Sequence, residues 1–180
     1  MKIIELQGKR VIDSFSEKQA KRTKVINMKF DEKYELKQEQ YELLRKLHYN
    51  IVSKDLNEQK ISDFIKQELK KKHYSYRQQD IKKEILDDNA LISLEQIIEK
   101  LTDSLLECYY CNKEVKVIYE DVRDPKQWTL DRINNDLGHI KDNVVICCLK
   151  CNLQRRRLDD EKFLFTKQLK LIKKDGLVEN

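Results

Sequence analysis

Glycine and proline are nearly absent, with 3 Gly and 1 Pro in 180 residues. This scarcity excludes long glycine- or proline-rich linkers and leaves helix as the dominant local structure. Long apolar runs are also missing. No stretch approaches the roughly 20 residues needed to span a bilayer. The N-terminus, MKIIELQGKRVIDSF, reaches charged residues at once and does not read as a secretory signal. The expectation is a soluble, intracellular protein with no membrane partner. Cysteine is absent outside positions 108–151, where all five occur: Cys108, Cys111, Cys147, Cys148 and Cys151. In a reducing compartment such clustering points to metal binding rather than to a disulfide framework.

Charge is abundant instead. Charged residues make up 38% of the chain against 39% hydrophobic, with both signs interleaved, so solvated helices fit better than a disordered tail. The net charge is +5, and the basic excess sits at the two ends of the chain, in 1–30 and 108–180. A mild basic balance permits a polyanionic partner without requiring one.

Residues 1–30 lack periodicity and crowd Lys18, Lys21, Arg22, Lys24 and Lys29 together. They read as a basic N-terminal arm or, equally, as a short surface strand with solvated lysines. Residues 31–106 read as a helical domain. Ile61, Phe64, Ile65 and Leu69 fall on one helical face. Ser75 with Gln78, and Ser93 with Gln96, have the spacing of capping boxes that start new helices. These apolar stripes are core positions and leave the partner of the helical domain unknown. Lys70, Lys71, Lys72, His73 and Arg77 read as the wet end of a helix.

Composition changes near residue 107, and 107–180 is taken as a second domain ending in an amphipathic helix through Phe163, Phe165, Leu169 and Ile172. Cys108-Tyr-Tyr-Cys111 and Cys148-Leu-Lys-Cys151 are two C-x-x-C knuckles. Two knuckles supply four sulfurs, which close a tetrahedral structural zinc site with no open position for catalysis. Cys147 is one residue early for the second knuckle and is expected to point into a small apolar core; a register with Cys147 as ligand is the alternative. A redox role fits less well, because no thioredoxin-like βαβ pattern surrounds the knuckles.

Between the knuckles, Trp128-Thr-Leu-Asp131-Arg132-Ile and Val144-Val-Ile read as two short strands with Asn134–Gly138 turning between them. The second knuckle then opens a helix through Asn152 and Arg155–Arg157. This ββα pattern, with Asp131, Asn143 and an Asn directly after Cys151, resembles the zinc-braced members of the HNH endonuclease (ββα-metal, His-Me finger) family over residues 108 to about 157. The Asp-Arg-Ile form resembles the subset associated with phage and large DNA viruses.

The resemblance implies an α+β fold: a helical bundle, then a small zinc-bound ββα-metal module and a C-terminal helix. It implies a nucleic-acid endonuclease with structural Zn2+ on Cys108, Cys111, Cys148 and Cys151 and a catalytic Mg2+ or Mn2+ on Asp131 and Asn152. Asn143 is implied as the residue that pins the loop. DNA is the first partner and RNA the alternative, in the cytoplasm or nucleus, including that of an infected host cell. Arg132 stands where the family has its general-base His, and an Arg cannot accept a proton. Three outcomes follow: His139 serves as base, Arg132 binds the scissile phosphate, or the site only binds. Lys150, Arg155, Arg156 and Arg157 are expected to meet phosphate, as arginine commonly does. The competing readings are a non-catalytic nucleic-acid-binding module and a protein-interaction domain.

Overall fold

A computed structural model describes residues 32–169; the basic arm (1–30) and Ile172 lie outside the described residues. A 3-10 turn (Glu32–Glu35) leads into helices α1 (Lys37–His48), α2 (Leu56–Lys82) and α3 (Leu94–Asp103). Strand β1 (Trp128–Arg132), a 3-10 turn (Lys141–Asn143), strand β2 (Val144–Cys148) and helices α4 (Leu149–Arg155) and α5 (Asp160–Gln168) follow. The fold class is α+β.

Helix α2 begins where Asp55 accepts a hydrogen bond from the Asn57 amide at 2.8 Å. Its buried face is Ile61, Ile65, Leu69, Tyr76 and Asp80. The expected helix start at Ser75 is not there: Ser75 and Gln78 are exposed positions inside one continuous helix. No Gly or Pro interrupts this stretch, and the buried face continues through Tyr76 and Asp80, so packing carries the helix onward. The second box is present. Ser93 Oγ accepts from the Gln96 amide at 3.2 Å, and Gln96 Oε1 accepts from the Ser93 amide at 2.9 Å.

The apolar core runs without a break across residue 107. Leu44, Ile65, Leu69, Ile97 and Leu101 from the helices share one buried cluster with Tyr110, Trp128, Leu130 and Cys147. Gln40 of α1 bolts the two parts together. It is 1% exposed, its Oε1 accepts from the amides of Val117 (2.8 Å) and Ile118 (3.0 Å), and its Nε2 donates to the Tyr34 carbonyl at 2.9 Å.

Strands β1 and β2 pair antiparallel, with Trp128 opposite Cys148 and Arg132 opposite Val144. A two-stranded ribbon leaves backbone groups unpaired along its outer edges, which need partners when buried. Here side chains supply them. The Tyr76 hydroxyl accepts from the Leu130 amide at 3.0 Å, Lys72 Nζ donates to the Trp128 carbonyl, and Asn152 Nδ2 donates to the Leu130 carbonyl at 3.1 Å. Lys72 therefore departs from the solvated reading of its basic run: it is half-buried, with Nζ 4.4 Å from the Trp128 ring centroid. Lys71 does stay exposed, pairing with Glu68 at 2.7 Å. No helix among the described residues is long and apolar enough to cross a membrane.

Candidate metal centre and adjoining cleft

Each knuckle is built by local backbone bonds. In the first, the Asn112 amide donates to the Cys108 carbonyl at 2.9 Å, and Asn112 turns the chain at φ 53°. In the second, Cys148 is the N-cap of α4, its sulfur accepting from the Cys151 amide at 3.4 Å. The Tyr109 amide donates to the Ile146 carbonyl at 2.9 Å, docking the first knuckle on β2 just before the second. The sulfurs of Cys108, Cys111, Cys148 and Cys151 consequently lie within 4.8 Å of one another. Four sulfurs about 2.3 Å from a tetrahedral zinc would sit about 3.8 Å apart, so these cysteines are positioned to hold a metal ion and the set fits zinc. The contact with Cys148, followed by burial, pushes the Cys108 thiol well above its usual range. Burial, followed by the neighbouring Cys108, pushes Cys151 up to about 12. A dication reverses that balance, because it binds the thiolates. Cys147 stays outside the cluster, fully buried, its Sγ 3.2 Å from Thr129 Oγ1.

Both knuckles reach Asp131. Tyr110, inside the first, donates its hydroxyl to Asp131 Oδ2 at 2.7 Å. Arg155, one turn beyond the second, places Nη1 3.3 Å from Asp131 Oδ1 and donates Nη2 to the Ile133 carbonyl at 2.6 Å. Arg155 is fully buried. The expected phosphate-facing role therefore does not apply to it: its guanidinium is spent on an interior carboxylate. Burial raises the Asp131 carboxyl above its ordinary range, while Tyr110, Arg155 and Arg132 pull it back. Helix α4 stops at Arg155, short of the expected Arg157, because Arg156 takes φ 54°. Arg156, Arg157 and Lys150 are exposed.

Asn143 closes the turn between the strands. Its Oδ1 accepts from the Asn134 amide at 2.8 Å, and its Nδ2 donates to the carbonyls of Asn134 (2.9 Å) and Gly138 (3.0 Å). The turn is thereby folded over α2, and His139 meets Asp80. Nδ1 of His139 lies 2.7 Å from Asp80 Oδ1, and the His139 amide donates to Asp80 Oδ2 at 2.6 Å. Arg132 Nη1 is 3.8 Å from Asp80 Oδ1 and donates to the Leu137 carbonyl at 3.1 Å.

Between α2 and the ββα unit lies a cleft of about 430 Å³. Asp131, Arg132, His139 and Asn152 all line it, together with Lys72, Lys83 and Arg156. Lys150, Arg155 and Arg157 do not. Asp80, Tyr110 and Lys83 escaped the sequence reading, which placed Lys72 on a solvated helix end. For Asp80 a signal existed: an aspartate four residues after Tyr76, on the stripe of Ile61, Ile65 and Leu69.

No family model matches the chain, and no solved structure matches it. The chain is similar to an uncharacterized protein of Acanthamoeba polyphaga mimivirus, with 38% identity over 69 residues. The match covers 38% of this chain and 11% of the viral protein, so the chain spans only a small part of that relative's length. The similar protein is viral.

Proposed function

We propose that the protein is a metal-dependent phosphodiesterase of the HNH type, acting on DNA in the cleft between α2 and the ββα unit, with RNA as the alternative substrate. The observation that carries this reading is the shared cleft. It gathers Asp131, His139 and Asn152, from strand, turn and helix, beside the cations of Lys72, Lys83 and Arg156. Basic groups around a recess attract a phosphate backbone.

The oxygen donors suit Mg2+ or Mn2+. Asn152 gives its Nδ2 to Thr129 Oγ1 and the Leu130 carbonyl, which leaves Oδ1 uncommitted among the described residues. Each Asp131 oxygen accepts one bond and retains a second lone pair. Such ions keep several waters and need only one or two protein ligands. Asp131 and Asn152 would hold the ion, which when bound supplies charge stabilisation at the phosphoryl oxygens. His139 would take the proton of the attacking water at Nε2. Burial pulls its pKa below the ordinary imidazole value, which keeps the ring neutral near pH 7 and able to accept. Arg132, tied to Leu137 and Asp80, holds the turn in place and cannot serve as base.

The pairing of Asp131 with Arg155 favours a second reading, a nucleic-acid-binding module that no longer cuts. Nicking of supercoiled plasmid in Mg2+, Mn2+ or EDTA, with single-stranded RNA in parallel, separates the two. Metal-dependent nicking that is lost in Asn152→Ala and Asp131→Asn at unchanged zinc content supports the nuclease. Salt-sensitive binding without cleavage in any metal supports the binding module.

A further inference from the structure

We infer that Asp80, on α2, is the positioning residue for His139: it fixes the imidazole tautomer so that Nε2 presents its lone pair to the cleft. The inference deepens the nuclease reading and rests on it for its catalytic consequence. The helical part of the chain, which the sequence left without a role, would then supply part of the site.

Three independent features carry this. The first is the double contact. One carboxylate takes the His139 side chain at Oδ1 (2.7 Å) and its backbone amide at Oδ2 (2.6 Å), so both ring and main chain are held. A carboxylate only accepts, so Nδ1 carries the proton, and in the neutral ring Nε2 is the bare nitrogen. Nε2 has no protein partner among the described residues, and His139 lines the cleft. The second is burial. Asp80 is fully buried and His139 is 3% exposed, and a buried charge is kept where it is hydrogen-bonded. The third is Gly138. A Cβ there would lie 2.8 Å from the Ile85 carbonyl oxygen and 3.0 Å from Asp80 Oδ2, so only glycine lets the turn come this close to α2.

The groups facing His139 come from two elements. Asp80 lies on α2, whose Tyr76 ring centroid is 4.7 Å away, Lys83 caps the C-terminal end of α2, and Arg132 lies on β1. Asp80 favours the imidazolium that forms during the reaction, whereas Lys83 and Arg132 oppose it in the resting state. In the step assigned to His139, an O–H bond of water breaks and its proton moves to Nε2. The oxygen bonds to phosphorus, the ester P–O bond breaks, and the leaving oxygen takes a proton from solvent.

The test uses the full chain loaded with zinc. Two-bond 15N–1H correlation spectra of the wild type should identify a neutral His139 protonated at Nδ1; protonation at Nε2 overturns the proposal. In Asp80→Asn, kcat for plasmid nicking should fall about ten- to a hundredfold at little change in KM, less than the roughly hundred- to ten-thousandfold that a general base itself contributes. The acid limb of its pH profile should also move to lower pH, because the group that favoured imidazolium is gone. An unmoved acid limb with an unmoved tautomer reduces Asp80 to a packing residue and overturns the proposal. Should Asp80→Asn fail to fold, the wild-type spectrum decides alone. A wild type protonated at Nδ1 that cuts nothing sinks the nuclease reading and leaves the Asp80–His139 pairing standing.

Discussion

Arg155 and Asp131 form an ion pair inside the protein, Nη1 to Oδ1 at 3.3 Å, with the arginine side chain fully enclosed and the aspartate 8% exposed. Removing one member of a buried pair strands the other charge, at a cost of about 3–5 kcal/mol. Arg155→Met should therefore lower the melting temperature by ~10 °C for a chain of this size. Arg156→Met, at an exposed position, should leave it nearly unchanged. Thermal unfolding by circular dichroism compares the two directly; equal shifts would mean that the pair contributes nothing to stability.

The four-sulfur cluster should bind one zinc per chain, read by elemental analysis of the purified protein. Cys151→Ser should abolish stoichiometric binding, whereas Cys147→Ser should retain it, since Cys147 sits outside the cluster. Because binding energy at such a site is folding energy and the apolar core is continuous, stripping the metal should lower one cooperative transition rather than melt a fragment on its own.

Stability should fall on the acid side of neutrality. The pKa of His139 is lowered in the folded state, first by burial, so between that value and the ordinary value of about 6.5 the unfolded chain binds the extra proton. The contribution is complete above the unfolded pKa and is lost as pH falls through the folded one. Urea midpoints measured across that window should rise with pH in the wild type, with a shallower slope in His139→Gln. A slope that the substitution leaves intact would assign the effect to other groups.

Gln40→Leu keeps the side-chain volume and removes both acceptor bonds to Val117 and Ile118. Two buried amides then lack partners, which costs about 2–4 kcal/mol. A change of under 1 kcal/mol in urea unfolding would show that other groups satisfy those amides.

Much of this architecture was legible because its causes are local. Two C-x-x-C spacings brought four sulfurs together, Ser93 and Gln96 capped α3, and the apolar Val144–Ile146 run became a strand. The turn pinned by Asn143 likewise lies close in sequence to the residues it holds. What escaped lies in long-range pairing. Ser75 carries a respectable capping pattern, yet Tyr76 and Asp80 have buried partners beyond the helix that keep α2 going. Arg155 looked like one of three phosphate-facing arginines until the fold placed a carboxylate beneath it. Asp80 and His139 stand 59 positions apart, and no periodicity in either segment announces the other.

The open edge of β1 is roofed by side chains of α2, with Tyr76 and Lys72 completing backbone valences that the two-stranded ribbon cannot complete alone. The cysteine-bearing finger therefore leans on α2 for part of its backbone hydrogen bonding. Excised at residue 107, it would keep its ion but expose bare amide and carbonyl groups and half a groove. Without α2, the rim that Tyr76 and Lys72 close would have to find other hydrogen-bond partners.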